Sequence, residues 1–186
     1  MTGKPALAFV VFVATACTPV RVAPGASLDR EELAIYTVVI DSVLETRGDP
    51  FVVLWERTSI VGLREEDLAR SLSHDTTRFA PAYADLIARN RTPVAVPART
   101  LSGREIRTFG PAFDVHRDST GVLRGFEPVR WLHALSRPGI DPERNRAVIY
   151  AAANGCGEMC GQLRLILLER NSSGWRVVRA DTVMES

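Results

Sequence analysis

A surplus of charge of either sign is missing from this chain: 23 lysine and arginine side chains face 22 aspartate and glutamate. Lysine is nearly absent, with Lys4 the sole example, so removal of the first few residues brings the balance to 22 and 22. A nucleic-acid binder needs a basic surplus to displace counterions from phosphates, which excludes nucleic acid as a partner. No apolar run reaches the ~20 residues that cross a bilayer as a helix. Gly-x-Ser-x-Gly, His-Glu-x-x-His and phosphate-loop patterns are all lacking, as are internal repeats and low-complexity tracts. No enzymatic activity can be named from such a sequence, and no cofactor is implied. Cysteine is reduced to three residues: Cys17, Cys156 and Cys160.

What is present begins at the amino terminus. MTGKPALAFVVFVATAC carries one positive charge, then an apolar run from Ala6 to Ala16 with the length of a signal-peptide core. It ends in Ala14-Thr15-Ala16, the small-x-small pattern of a cleavage site, directly before Cys17. This arrangement resembles the lipobox of bacterial lipoproteins, which implies that Cys17 becomes the lipidated first residue of an exported chain. Thr18 to Ala26, TPVRVAPGA, is Pro- and Ala-rich without apolar period, as a tether should be. The expected organisation is a signal peptide over 1–16, a lipidated cysteine and tether over 17–27, and one domain over 28–186. The expected location is the bacterial cell envelope, on a membrane.

Ser27 is positioned to cap a helix whose first turn holds Asp29, Glu31 and Glu32. Leu33, Tyr36, Ile40, Val43 and Leu44 give that helix one apolar face, with Arg47 and Gly48 closing it. FVVLW, Phe51 to Trp55, reads as a buried strand, and Leu63 to Leu72 and Pro81 to Asn90 read as helices. Asp75 would cap a helical stretch and Asn90 would end one. RTPVAVP, Arg91 to Pro97, is broken by proline twice and reads as a connector. Beyond Phe113 short strands follow one another: Trp131 to Arg137, Ala147 to Ala153, Leu163 to Glu169 and Trp175 to Thr182. The turns between them fall at DPERN (Asp141 to Asn145), the cysteine loop and NSSG (Asn171 to Gly174). The expected fold is α+β, with N-terminal helices packed on a C-terminal antiparallel meander.

LSRPGID, RAVIYAA, CGEMCG, LILLER and GWRVV occur in that order between Leu135 and Val178. They resemble a group of uncharacterised exported bacterial proteins with a glycine-flanked Cys-x-x-x-Cys loop. The resemblance implies export and a paired-cysteine loop, and supplies no activity.

The loop NGCGEMCGQ, Asn154 to Gln162, can be a staple, a redox switch or a metal site. Its cysteines sit between two expected antiparallel strands, where opposed residues come within disulfide range, and an oxidising compartment favours pairing. A redox pair prefers Cys-x-x-Cys beside a cation or helix N-terminus, whereas Glu158 opposes thiolate formation here. Two sulfurs with Met159 nearby can hold Cu(I), but zinc needs two further donors. A Cys156–Cys160 disulfide is therefore expected. VHRD, Val115 to Asp118, lacks the partners of a kinase loop, and His74-Asp75 is half of an acid–base pair at most. Trp55, Trp131 and Trp175 read as core or sheet-face residues.

The function expected is a lipid-anchored envelope protein that binds a partner or small ligand without catalysis. A periplasmic thiol-redox or copper-handling protein using Cys156 and Cys160 is the alternative. A hydrolase assembled from residues distant in sequence is a weaker one.

Overall fold

The computed structural model describes residues 27–44, 48–59, 76–101, 103–110, 125–127, 129–154 and 161–185. Cys17, Cys156 and Cys160 lie outside them, as do the signal and tether segments before Ser27, the helix expected over Leu63 to Leu72, His74-Asp75 and the VHRD segment. Helix α1 spans Arg30–Ser42 and α2 spans Thr76–Arg89. The strands are β1 (Phe51–Trp55), β2 (Thr100–Leu101), β3 (Arg104–Phe109), β4 (Leu132–Leu135), β5 (Gly139–Asp141), β6 (Arg146–Asn154), β7 (Gly161–Asn171) and β8 (Gly174–Glu185). They form one sheet in the order β2-β3-β1-β4-β6-β7-β8, with β5 beside β6. The fold is α+β with a mostly antiparallel sheet. Among the described residues no helix is long and apolar enough to cross a membrane.

The expected meander is present: β4, β6, β7 and β8 pair antiparallel in chain order. Its last turn is the two-residue loop Ser172-Ser173, where Asn171 Oδ1 accepts from the Ser173 backbone N–H at 2.9 Å. Gly174 follows with φ +117°, a conformation that favours glycine. The sheet is not antiparallel throughout, however. β1 lies parallel to β3, with Phe51 opposite Glu105, and parallel to β4, with Val53 opposite Leu132. FVVLW is thus an inner strand, and its unbroken apolar run suits burial on both faces.

Helices preceding a sheet in sequence are expected to cover one face of it, but the two helices here lie on opposite faces. Ala147 and Ile149 of β6 join Ile35, Tyr36, Val39 and Ile40 of α1 in one core cluster. Val148, between them, joins Phe79, Ala82 and Leu86 of α2 in another. Successive strand residues point to opposite faces, so α1 covers one side and α2 the other. Each fully buried side chain of this kind contributes about 1.5–3 kcal/mol over exposure.

Asp29, not Ser27, caps α1. Its Oδ1 accepts from the N–H groups of Glu31 at 2.8 Å and Glu32 at 2.9 Å. Glu32 Oε2 returns to the Asp29 N–H at 2.8 Å, completing a capping box. Ser27 instead bridges Ala95 in the expected connector. α2 begins at Thr76, five residues before the expected start, so Pro81 sits inside it. A proline there removes one helical hydrogen bond, and burial of Phe79 on one side and Ala82 on the other carries the helix across it.

β4 and β5 are one strand interrupted. Ser136 N–H donates to Tyr150 O at 2.9 Å, and Tyr150 N–H donates to Ser136 Oγ at 2.9 Å. Leu135 stands opposite Ala151, but Gly139 stands opposite Val148, so Arg137 and Pro138 together face Ile149. This is a β-bulge, a position where proline's missing N–H is tolerated. Beyond it, α2 lies against β5 so closely that a Cβ at Gly139 would overlap the Ala82 carbonyl oxygen and the Leu86 nitrogen. One charged row crosses the sheet. Asp141, Arg146, Glu169 and Arg176 stand opposite one another on β5 to β8 with alternating sign. Arg78 of α2 also pairs with Glu169.

Candidate functional site

A groove of about 740 Å³ lies between α1 and the β7–β8 hairpin. That volume lies within the ~300–1,000 Å³ typical of ligand sites. One wall is the outward face of α1, Arg30, Glu31, Ala34, Thr37 and Val38, which recur at helical spacing. The other is the hairpin end, with Arg170, Ser173, Gly174 and Trp175. Trp175 and Val38 are half-buried and rest on the core beneath α1, while Ala34 leaves the space between them open.

The charges are unequal. Arg170 donates to Glu31 Oε1 at 2.9 Å, and its guanidinium lies 5.9 Å from the Trp175 ring centroid. Arg30 is exposed and makes no hydrogen bond or ion pair among the described residues. The groove therefore combines an apolar floor, one neutralised pair and one available cation.

A second polar cluster lies deeper. The Glu32 carboxylate, fully buried, accepts from Arg137 Nε at 2.8 Å and Arg89 Nη1 at 3.2 Å. Arg89 also reaches Asp85 at 2.7 Å, and Asp85 accepts the Ile140 N–H at 2.8 Å. Asn90, the expected helix end, donates to the Leu86 and Arg137 carbonyls at 2.8 Å each and accepts from the Arg137 N–H at 2.8 Å. Tyr36 donates to Ser136 O at 3.1 Å, and its hydroxyl pKa is pushed far up by burial and then by the Glu32 charge. Every one of these groups is satisfied within the protein. The cluster ties α1, α2 and the bulge together and offers no open position to a substrate.

A third feature stands at the neck of the cysteine loop. Asn154 of β6 pairs with Gly161 of β7, and His133 of β4 stands opposite Ala153, one residue inside that neck. The imidazole is 3% exposed and its Nδ1 has no hydrogen-bond partner among the described residues. Burial, and then the positive charge of Arg164, lowers its pKa to about 4, so it is neutral at pH 7. The cavity it lines with Trp131, Val43 and Leu44 measures about 10 Å³. That is room for roughly one water and not for an organic ligand. The groove, rather than this cavity, is the candidate site.

The sequence reading did not find the groove, because its walls are more than 130 residues apart in the chain. Trp175, read as core or sheet face, is half-buried and lines it. Glu31 and Glu32, alike as helix-dipole partners in sequence, take different places: one on the groove, one fully buried. Among the described residues no group of three or more His, Cys, Asp or Glu is placed to hold a metal ion. Comparison of the chain with protein-family models, curated proteins and solved structures finds no match.

Proposed function

We propose that this protein is an exported, non-catalytic binding module of the bacterial cell envelope. In this reading Cys17 carries the lipid anchor, residues 17–27 form the tether, and residues 28–186 form the binding domain. The observation that carries the binding role is the α1/β7–β8 groove: ligand-sized, apolar at its floor, with an available cation at Arg30. Among the described residues no acid–base pair converges on it, since Glu31 is engaged by Arg170. Helix α1 would then serve as one wall of a binding surface on the meander.

Two measurements test the reading. Cys17→Ser should leave the chain unprocessed by the lipoprotein pathway or released from the membrane fraction, and a fatty-acid probe should no longer label it. Ligands of the intact protein should shift the Trp175 indole and Ala34 amide NMR resonances, and shifts confined to other surfaces would refute the groove.

The thiol-redox or copper-handling alternative has one observation in its favour, the unpartnered Nδ1 of His133 beside the neck of the Cys156–Cys160 loop. Tight one-to-one uptake of Cu(I) that is lost with Cys156→Ser would establish it in place of the binding module.

A further inference from the structure

We infer that the groove takes an acidic peptide segment, with an apolar side chain seated between Val38 and Trp175 and the neighbouring carboxylate on Arg30. This rests on the groove being the binding surface and adds the chemistry of its occupant.

The argument begins with charge. Among the described residues, Arg30, Glu31 and Arg170 are the ionisable side chains lining the groove. The last two neutralise each other across 2.9 Å, which leaves Arg30 to be matched by an anion from outside. A guanidinium presents its donors in a planar fork that fits a carboxylate two bonds at a time. The floor asks for something apolar beside that anion, because Val38 and Trp175 are both part of the apolar layer under α1. The lining then separates three kinds of anion that carry an apolar part. A carboxylated sugar would need a free aromatic face for its ring, but the Arg170 guanidinium already lies over the Trp175 ring, 5.9 Å from its centroid. A fatty acid would need an apolar channel, but Thr37 and Ser173 place hydroxyls along the walls. A peptide suits both. The Thr37 hydroxyl, which donates to Leu33 O at 2.9 Å, keeps lone pairs that can accept a peptide N–H. Glutamate or aspartate next to leucine-like residues supplies the anion and the apolar group at neighbouring positions.

The test uses the full chain, ¹⁵N-labelled in detergent, and four probes. Two are end-blocked pentapeptides, Gly-Leu-Glu-Leu-Gly and its glutamine counterpart; the others are trigalacturonate and octanoate. The glutamate peptide should shift the Trp175 indole and Ala34 amide resonances, and the glutamine peptide should bind about fivefold more weakly, as expected for an exposed ion pair. Arg30→Gln should weaken the glutamate peptide by a similar factor and leave the glutamine peptide unchanged, the signature of a direct pair. Equal binding of the two peptides, or an unchanged affinity in Arg30→Gln, overturns the inference. So do groove shifts with trigalacturonate or octanoate in place of the peptide, an outcome that leaves the binding module intact with a different ligand. Ala34→Trp, at an exposed position, fills the groove without touching the core. If that variant and the parent respond identically to all four probes, the groove is not the binding surface and both readings fall.

Discussion

Arg164 and Arg170, on one face of β7, hold the two ends of α1. Arg170 donates to Glu31 in the first turn at 2.9 Å, and Arg164 donates to the Val43 carbonyl at the C-cap at 3.1 Å. Six strand residues rise ~20 Å and a 13-residue helix runs ~20 Å, so one strand spans the helix with matched length. The helix has no basic residue in its own last turn. Arg164 supplies the positive charge that the carbonyl end of a helix favours, from a strand rather than from the helix itself.

The same arginine shapes a pH dependence. His133 has an ordinary pKa near 6.5 in the unfolded chain and about 4 in the folded one. Between those values the unfolded state binds the extra proton and the folded state does not, so stability rises with pH through that window. The protein should therefore lose stability as pH falls from 6.5 toward 4, by roughly 3 kcal/mol from this group. Urea unfolding at pH 7, 5.5 and 4 should show a shallower loss in His133→Leu than in the parent. Parallel curves would show that His133 is not responsible.

Gly139 should tolerate no side chain. The atoms that an alanine Cβ meets belong to the backbone of α2, so a rotamer change cannot relieve the overlap. Gly139→Ala is expected to cost about 3 kcal/mol or more, at the upper end of overpacking effects, and to lower the thermal midpoint correspondingly. A midpoint within two degrees of the parent, on the order of the experimental scatter, would show that α2 moves away freely.

Glu32 is the hub of the buried cluster, and its removal strands Arg137 and Arg89 without their carboxylate. Glu32→Leu should cost about 3 kcal/mol, read as a lower urea midpoint at unchanged slope. Adding Arg137→Met should cost less in that background than in the parent, because the two side chains share one interaction. Strict additivity would contradict the pairing.

The Cys156–Cys160 staple remains a proposal with its own measurement. Mass spectrometry of protein taken from the envelope should find the two cysteines bonded to each other. The double-serine variant should lose on the order of 2 kcal/mol, as closing a short loop implies, and keep its fold. Free thiols in most freshly isolated molecules would favour the redox or copper role.

The local signals in the sequence were read more successfully than the non-local ones. DPERN and NSSG were legible as turns because asparagine and glycine accept left-handed backbone, and Asn145 at φ +52° and Gly174 do so. Ser27 and Asp29 were both chemically able to cap α1. The choice fell to Asp29 because Glu32 sits three residues beyond it and completes the box. REIRTF, β3, was missed because Ile106 is its one fully buried residue, and the three charged residues around it, Arg104, Glu105 and Arg107, resemble a solvated loop. Its partner β1 lies across a long stretch of chain, and no local pattern announces a parallel pairing. The groove is a product of the same non-local assembly. Nothing near Arg30 in sequence reveals Trp175.

The parallel placement of β1 has a kinetic consequence. The β7–β8 hairpin closes across two residues, whereas Phe51 must find Glu105 and Val53 must find Leu132, closing loops of about 54 and about 79 residues. Loop-closure entropy grows with the logarithm of length, and pairings distant in sequence slow folding. The meander β6–β7–β8 is thus the natural nucleus, and β1 enters the sheet late, between edges that must stay open for it. Substitutions in β7 should slow folding, and substitutions in β1 should chiefly speed unfolding. Until β1 arrives, β4 presents a bare strand edge to any neighbouring chain, so crowded nascent copies run their greatest risk of aggregation in that interval.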